Sequence, residues 1–334
     1  MPDAFPSLPV ERRRLVPRRV FLAIGLLALV VGTLVFPFPM KGRLWGDLFD
    51  LAHAPVFCLA LLCMVGFLDP PAAGLPRRYQ TIVPMTLLRV SAITLLLMLA
   101  GMAGEYLQQF ANRNPSWSDV AANTAGLLSG LFWIASRTQS GGRRTLLAIM
   151  PLGVLTAVSI NPGMEALDSV ARIREFPLVA SFERPRELGN WGTHGSVMQQ
   201  TNTWASDGQH SLQIDLQPGA YPGVAMLWPE QTWAEYGQFH LDINNPTDAP
   251  LPLIIKLQDQ QHSRTGFEYE DRFHRELTIP PQSVQHVVID LDQVKAAPAE
   301  REMNMNEINM IDIFSVDVKQ PRSFLIDFLH LTKS

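Results

Sequence analysis

The stretch GEYLQQFANRNPSWSDVAANTAG, residues 104–126, is a polar island between two apolar runs, 90–104 and 120–136. Glu105, Gln108, Gln109, Arg113, Asp119 and Asn123 fall where a pair of membrane-crossing helices would turn. Ionisable groups at such a depth are costly, so they persist either for function or as paired structural groups. The island thus decides the fold class of its surroundings: an α-helical integral membrane domain.

Working outward, five apolar runs frame the island, at 20–37, 51–68, 90–104, 120–136 and 145–160. A helix crossing a ~30 Å hydrocarbon core needs roughly 17–25 residues, so the first two qualify outright and the others need polar ends at the interface. Five transmembrane helices are the expectation, with four as the alternative. The Arg-rich start (Arg12, Arg13, Arg14, Arg18, Arg19) has the form of a signal peptide, yet FPFPMKGRLWGD after the first run offers no small-x-small cleavage site. That run reads as an uncleaved span.

Basic residues set the orientation. With the N-terminus inside, the inner segments hold the five N-terminal arginines, Arg77, Arg78, Arg89, Arg137, Arg143 and Arg144; the outer loops hold only Lys41, Arg43 and Arg113. The island then faces outward, and the C-terminal half lies outside the cytoplasm. With four spans that half would be cytoplasmic. The same topology carries Asp47, Asp50 and His53, with Pro55 below them, to the island's level.

Charge divides the chain likewise. Up to Gly163 there are 14 Lys+Arg against 7 Asp+Glu; the remainder has 13 against 24, for a net charge of -4 over 334 residues. A basic apolar half and an acidic ordinary half indicate two domains in different surroundings. No block of like charge is long enough for nucleic-acid binding, so no nucleic-acid partner is expected. The 2 cysteines, Cys58 and Cys63, share one apolar run and imply no disulfide framework. The expected boundaries are a basic cytoplasmic N-terminus at 1–19, a transmembrane domain at 20–163, a connecting helix or linker at 164–177 and a soluble domain at 178–334.

The island has chemistry to offer. Glu105 with Gln108 and Gln109, and Asp119 with Asn123, each place a carboxylate and an amide on one helix face. Beside His53 and Arg113 such a surface suits a polar head group, a phosphate or a proton. A structural reading stands next to it: Ser116-x-x-Asp119 has the form of a capping box, Arg113 pairs with Glu105 or Asp119, and Asn123 hydrogen-bonds between helices. No nucleophile–base–acid arrangement and no H-E-x-x-H spacing is present.

Glu105, Gln108, Arg113, Ser116, Asp119, Asn123 and Gly126 resemble the E-x-x-Q…R-x-x-S-x-x-D-x-x-x-N-x-x-G signature of VanZ-like membrane proteins. Asp50, His53 and Phe57 resemble that family's D-K-x-x-H-x-x-x-Y element, with Asp50 three rather than four residues before His53, no lysine after it, and Phe57 in place of tyrosine. The resemblance covers roughly 45–136. It implies a small polytopic bacterial envelope protein, expected in the cytoplasmic (inner) membrane, with no activity settled for the family. On their own chemistry, the ligand-binding candidates of this half are Asp50, His53, Glu105, Gln108, Arg113, Ser116, Asp119 and Asn123. Some relatives are linked to reduced susceptibility to teicoplanin-type glycopeptide antibiotics.

From about 177 the pattern changes. Short alternating segments appear at 211–216, 239–245, 251–259, 286–292, 311–318 and 323–331, bounded by turns such as SDG, PGAYPG and NNPTDAP. Many short strands without intervening helices predict an all-β sandwich. Residues 164–176 read as a connecting helix. Phe182-Glu183, Trp191, Asp207-Gly208, Ser211-Leu212, Trp233, Tyr236 and Ile326-Asp327 resemble galactose-binding-type jelly rolls, the fold of carbohydrate-binding modules. That implies a jelly-roll sandwich over 178–332, sugar binding, and a structural Ca2+ held by Glu183 and Asp327. Aromatic faces stack on sugar C–H surfaces, so Trp204, Tyr221, Trp228, Tyr236 and Tyr269 are candidates, against a core-packing role for each. The polar segment 259–276 is either an edge hairpin or part of a binding face.

Three functions fit: a non-enzymatic envelope protein binding a cell-wall glycan or a lipid-linked sugar beside the lipid bilayer; a membrane enzyme using His53 and Glu105 as acid and base; and an assembly factor that grips another protein.

Overall fold

The computed structural model describes residues 43–68, 87–108, 116–227, 229 and 232–333, together with Gly25. The chain forms two compact units, one built from Gly46–Met164 and the other from Glu165 onward with Lys41–Trp45. The first is helical, the second an antiparallel β-sandwich.

The helical unit contains α1 (Arg43–Leu68), α2 (Leu87–Gln108), α3 (Trp117–Ser136) and the first part of α4 (Gly141–Glu175). Ser116 caps α3, its Oγ accepting from the Asp119 N–H at 3.4 Å, and Asp119 puts a carboxylate in the positively polarised first turn. Helix α3 lies against α1 through glycine. A Cβ on Gly126 would sit 2.1 Å from the Ala54 carbonyl oxygen, and one on Gly130 3.3 Å from that of Cys58. This small-xxx-small spacing lets two backbones touch, as membrane helix pairs often do. Contacts run in the same order along both helices, from Ala54–Gly126 to Cys58–Gly130, so α1 and α3 are parallel. Leu61, Val65, Val90, Leu127 and Ile134 form the small core below the polar level.

Among the described residues three helices are long and apolar enough to cross a membrane: Arg43–Leu68, Leu87–Tyr106 and Gly141–Glu175. The expected crossing at 20–37 lies outside the described residues, Gly25 apart. The run 120–136 does form a helix, but α3 is not among these three. The run 145–160 and the separate connecting helix at 164–176 form one 35-residue helix that contains Pro151 and Pro162. At 1.5 Å per residue it is about 52 Å long, well beyond the ~30 Å that a crossing needs.

Among the described residues the sandwich has eleven strands: β1 (Leu178–Ala180), β2 (Trp191–His194), β3 (Ser196–Thr201), β4 (Ser211–Leu216), β5 (Gly223–Leu227), β6 (Gln238–Asn245), β7 (Leu251–Asp259), β8 (Phe273–Ile279), β9 (Ser283–Asp290), β10 (Ile308–Phe314) and β11 (Arg322–Thr332). One sheet runs β3-β4-β11-β6-β9 with β1 also on β11; the other runs β2-β5-β10-β7-β8. Period-2 alternation sends Leu212, Ile214, Leu241, Ile243, Leu253 and Ile255 into the space between the sheets, where Trp233, Phe182, Phe239 and Phe324 are also fully buried. A short helix α5 (Leu291–Lys295) follows β9.

The segment 259–276 is an edge structure: a 3-10 turn at Gln260–Arg264 leads into edge strand β8. Arg301 holds it down by bridging Asp259 and Asp271.

Candidate functional site

In the helical unit, Asp50 and His53 stand one turn apart on α1, and the parallel packing on α3 brings Asp119 and Asn123 beside them. His53 is 8% exposed, and its Nδ1 lies 2.9 Å from Asn123 Oδ1. Its Nε2 is buried without a hydrogen-bond partner. Phe49 meets the His53 ring edge-on, with centroids 4.9 Å apart. A ring nitrogen of His53 and one carboxylate oxygen each from Asp50 and Asp119 all lie within 4.8 Å of one another. Glu105 is buried on α2. Ser116 serves α3 as its cap, and its Oγ lies 2.5 Å from Ser118 Oγ. The Gln108 side chain and Arg113 lie outside the described residues. The structure therefore gathers Asp50, His53, Asp119 and Asn123.

In the sandwich unit the aromatic candidates separate by exposure. Tyr221 is 64% and Tyr269 57% exposed. Tyr236 packs against the core and meets Phe176 edge-on at 5.3 Å. Trp204 is half-buried, its carbonyl accepting from Ser211 Oγ. Trp228 lies outside the described residues.

Tyr221 and Tyr269 flank a charged row on the outward face of the five-stranded sheet. Strand alternation points Ile311 and Ile313 into the core and Asp312 to the opposite face of the sheet, where its neighbours leave it 7% exposed. Asp312 pairs in register with Lys256, and Lys256 with His274. Lys256 Nζ donates to Asp312 Oδ2 at 2.9 Å, and His194 Nε2 contacts Asp312 Oδ1 at 2.9 Å. His194 Nδ1 donates to the Tyr221 carbonyl at 2.7 Å, while Tyr221 lies edge-on to Phe314. At the other end Tyr269 Oη is 2.8 Å from His274 Nε2, and the Arg272 guanidinium sits 4.6 Å from the Tyr269 ring centre.

The hydrogen bond to Asp312 raises the His194 pKa above its ordinary value, against the opposing effect of burial. Burial alone would raise the Asp312 carboxyl, but the His194 hydrogen bond and the Lys256 charge outweigh it and hold the carboxyl below the usual range. Sequence reasoning missed His194, Lys256, Asp312 and His274. The usable signal was a charge set among aliphatic residues on the face opposite the core, Lys256 in LPLIIKLQD and Asp312 in INMIDIF.

Glu183 and Asp327 grip one loop from two sides. Glu183 Oε1 accepts from the Gln209 and His210 N–H groups at 2.7 and 2.8 Å; Gly208 takes a φ of 68°, and a Cβ there would lie 2.4 Å from that same oxygen, so glycine is required twice over. Asp327 Oδ2 accepts from the Ser206 and Asp207 N–H groups at 2.8 and 3.0 Å. Asp327 is fully buried, which raises its pKa, and its Oδ1 has no hydrogen-bond partner.

No protein-family model and no curated protein matches the chain. Solved structures are similar at low identity. An exo-beta-agarase is 15% identical over 47% of this chain and 25% of its own length, TM-score 0.39. A family 11 carbohydrate-binding module from Clostridium thermocellum, solved with a beta-1,3-1,4-mixed-linked tetrasaccharide, is 13% identical over 47% of this chain and 95% of its own, TM-score 0.37. A xylan-binding domain of family 22 is 15% identical over 46% and 91%, TM-score 0.32.

Proposed function

We propose that the chain is a VanZ-like protein of the bacterial cell envelope, held in the cytoplasmic membrane by its apolar helices, whose sandwich unit lies outside the cytoplasm and binds glycan or glycolipid. A cell-wall glycan or a lipid-linked sugar is the ligand class. One observation carries the reading: two exposed tyrosines bracket the His194–Asp312–Lys256–His274 row. Aromatic faces take the apolar side of a sugar ring, and ammonium, imidazole and carboxylate groups take its hydroxyls. Mutual hydrogen bonding preorders the row, which lowers the entropy cost of capture. Exposed Leu88, Leu96 and Leu99 on α2 and Leu146, Ile149 and Leu152 on α4 suit a lipid surround.

The test uses full-length protein in detergent, run through native gels cast with solubilised cell-wall glycan strands or neutral polysaccharides. Wild type is retarded by at least one of them. Tyr221→Ala and Tyr269→Ala each weaken retardation about two- to tenfold, the cost of one lost aromatic contact of ~0.5–1.5 kcal/mol. Unaltered retardation in both variants, with unaltered melting temperature, sinks the reading.

A structural Ca2+ is proposed at the loop that Glu183 and Asp327 share. The unengaged, buried Oδ1 of Asp327 supports it, since an anionic oxygen without a donor is what a hard cation satisfies. Bound there, the ion would pin the loop to the last strand. Addition of Ca2+ to chelator-treated protein should raise the melting temperature by several degrees, and Asp327→Asn should abolish that rise. Identical melting with chelator and with Ca2+ would show that backbone amides hold the loop alone.

A further inference from the structure

We propose that Asp50, His53 and Asp119 form a binding site for a divalent transition-metal ion of the Zn2+ class, with Asn123 as the positioning residue. Two observations carry it. The first is geometric: three ligating atoms of three residues, drawn from two helices, lie within 4.8 Å of one another, and no other such group occurs among the described residues. Ligands ~2.1 Å from a tetrahedral ion stand about 3.4 Å apart, so side-chain torsions alone can close the set onto a metal.

The second observation is the state of His53. Asn123 Oδ1 can only accept, so the proton of a neutral imidazole sits on Nδ1, 2.9 Å away. The lone pair is thereby left on Nε2, which is buried and makes no hydrogen bond. An acceptor sequestered from water without a partner costs free energy, and metal coordination removes that cost. Metal-binding histidines characteristically donate their second N–H to an outer oxygen, the role Asn123 fills.

The fold brings this about. Asp50 and His53 share one face of α1 by their i,i+3 spacing, and the Gly126–Ala54 contact sets that middle stretch of α1 beside the first turns of α3. Two carboxylates held so close attract a dication more strongly than either does alone. One imidazole and two carboxylates form a borderline-to-hard donor set that favours Zn2+ or Mn2+ over Cu(I). Asp50 is exposed whereas His53 is buried, so the set is open on the Asp50 side. Three protein ligands leave a coordination position for water or for one oxygen of a phosphate.

The experiment uses full-length protein carrying a histidine-free tag, stripped with chelator in detergent and then titrated with Zn2+ by calorimetry, with bound metal counted by mass spectrometry. Wild type should bind one equivalent. His53→Gln and Asp119→Asn should each weaken binding at least a hundredfold, and Asn123→Ala ten- to a hundredfold through the lost orientation of the ring. Co2+-loaded wild type should show the intense visible bands of a four-coordinate ion, lost in His53→Gln. Unchanged gel-filtration and melting profiles of the apo variants separate lost ligands from lost fold. Equal Zn2+ stoichiometry and affinity in wild type and folded His53→Gln would overturn the proposal, as would no binding by wild type. The result is independent of glycan retention, which the sandwich variants report.

Discussion

Replacing Arg301 with alanine should destabilise the sandwich unit by about 3–5 kcal/mol, the range for removing one partner of a buried ion pair. The Arg301 guanidinium spans two carboxylates, donating to Asp259 at 2.6 and 2.8 Å and to Asp271 at 2.5 and 2.9 Å. Asp259 is fully buried and also accepts from the His262 and Asn304 N–H groups at 3.2 and 2.8 Å. Without Arg301, two carboxylates would face each other with one sealed from water. For a unit of this size the melting temperature should fall by roughly 10 °C or more. Arg301→Lys should recover only part of the loss, because an ammonium cannot span both acids in a planar fork.

The same network predicts an acid limit. The Arg301 hydrogen bonds hold the Asp271 pKa at about 2. Asp259 is also lowered: burial raises it, but the bonds from Arg301 and the Asn304 amide prevail. An unfolded aspartate titrates near ~3.9, so these groups contribute stability in full above that pH and lose it as pH falls toward 2. Melting curves between pH 7 and pH 2 should show wild type losing its advantage over Arg301→Ala at the acid end. Coincident curves for the two proteins at neutral pH would refute the assignment.

Gly126→Ala should break the α1–α3 contact. A single methyl would enter at 2.1 Å from the Ala54 carbonyl oxygen and 2.9 Å from its carbon. Those are backbone atoms of a neighbouring helix, which no rotamer change moves aside. Overpacking of this kind costs about 1–3 kcal/mol where a core can adjust, and more where it cannot. Separation of the helices would also pull Asn123 from His53 and Asp119 from Asp50, so Zn2+ uptake should fall with helix stability. Gly130→Ala should be milder, since its Cβ would meet the Leu61 Cδ2 at 3.1 Å, the end of a flexible side chain, and the Cys58 oxygen at 3.3 Å. At Gly142 nothing lies within 4 Å, and alanine there should leave this contact untouched. Thermal loss of helical circular dichroism in detergent orders the three variants, and equal behaviour of Gly126→Ala and Gly142→Ala would refute the close approach.

Much of the architecture was legible locally. The segments 211–216 and 251–259 read as strands with the bounds they have, because every second residue is a large aliphatic and Gly, Pro or Asp turns close both ends. Strands β1, β2, β3, β5 and β8 escape that pattern. WGTH is short and holds glycine, GVAML is buried at four successive positions, and FHRELTI is a polar edge whose outward charges mask the alternation. The break expected between 160 and 164 is absent: Gly141–Glu175 is one helix despite Pro162.

What the sequence determined by itself is what short-range periodicity encodes: a helical apolar half, a β-rich acidic half, and the placing of Asp50 and His53 on one helix turn with Asp119 and Asn123 on another. Only the tertiary structure decided which polar groups meet. His194 and Asp312 are 118 residues apart, and they touch because the sheet order places β10 beside β5 and β5 beside β2. Asn123 reaches His53 across 70 residues because Gly126 admits the Ala54 backbone. Both depend on which faces bury together, a choice made by the free energy of the whole packed chain and carried by no local pattern of residues.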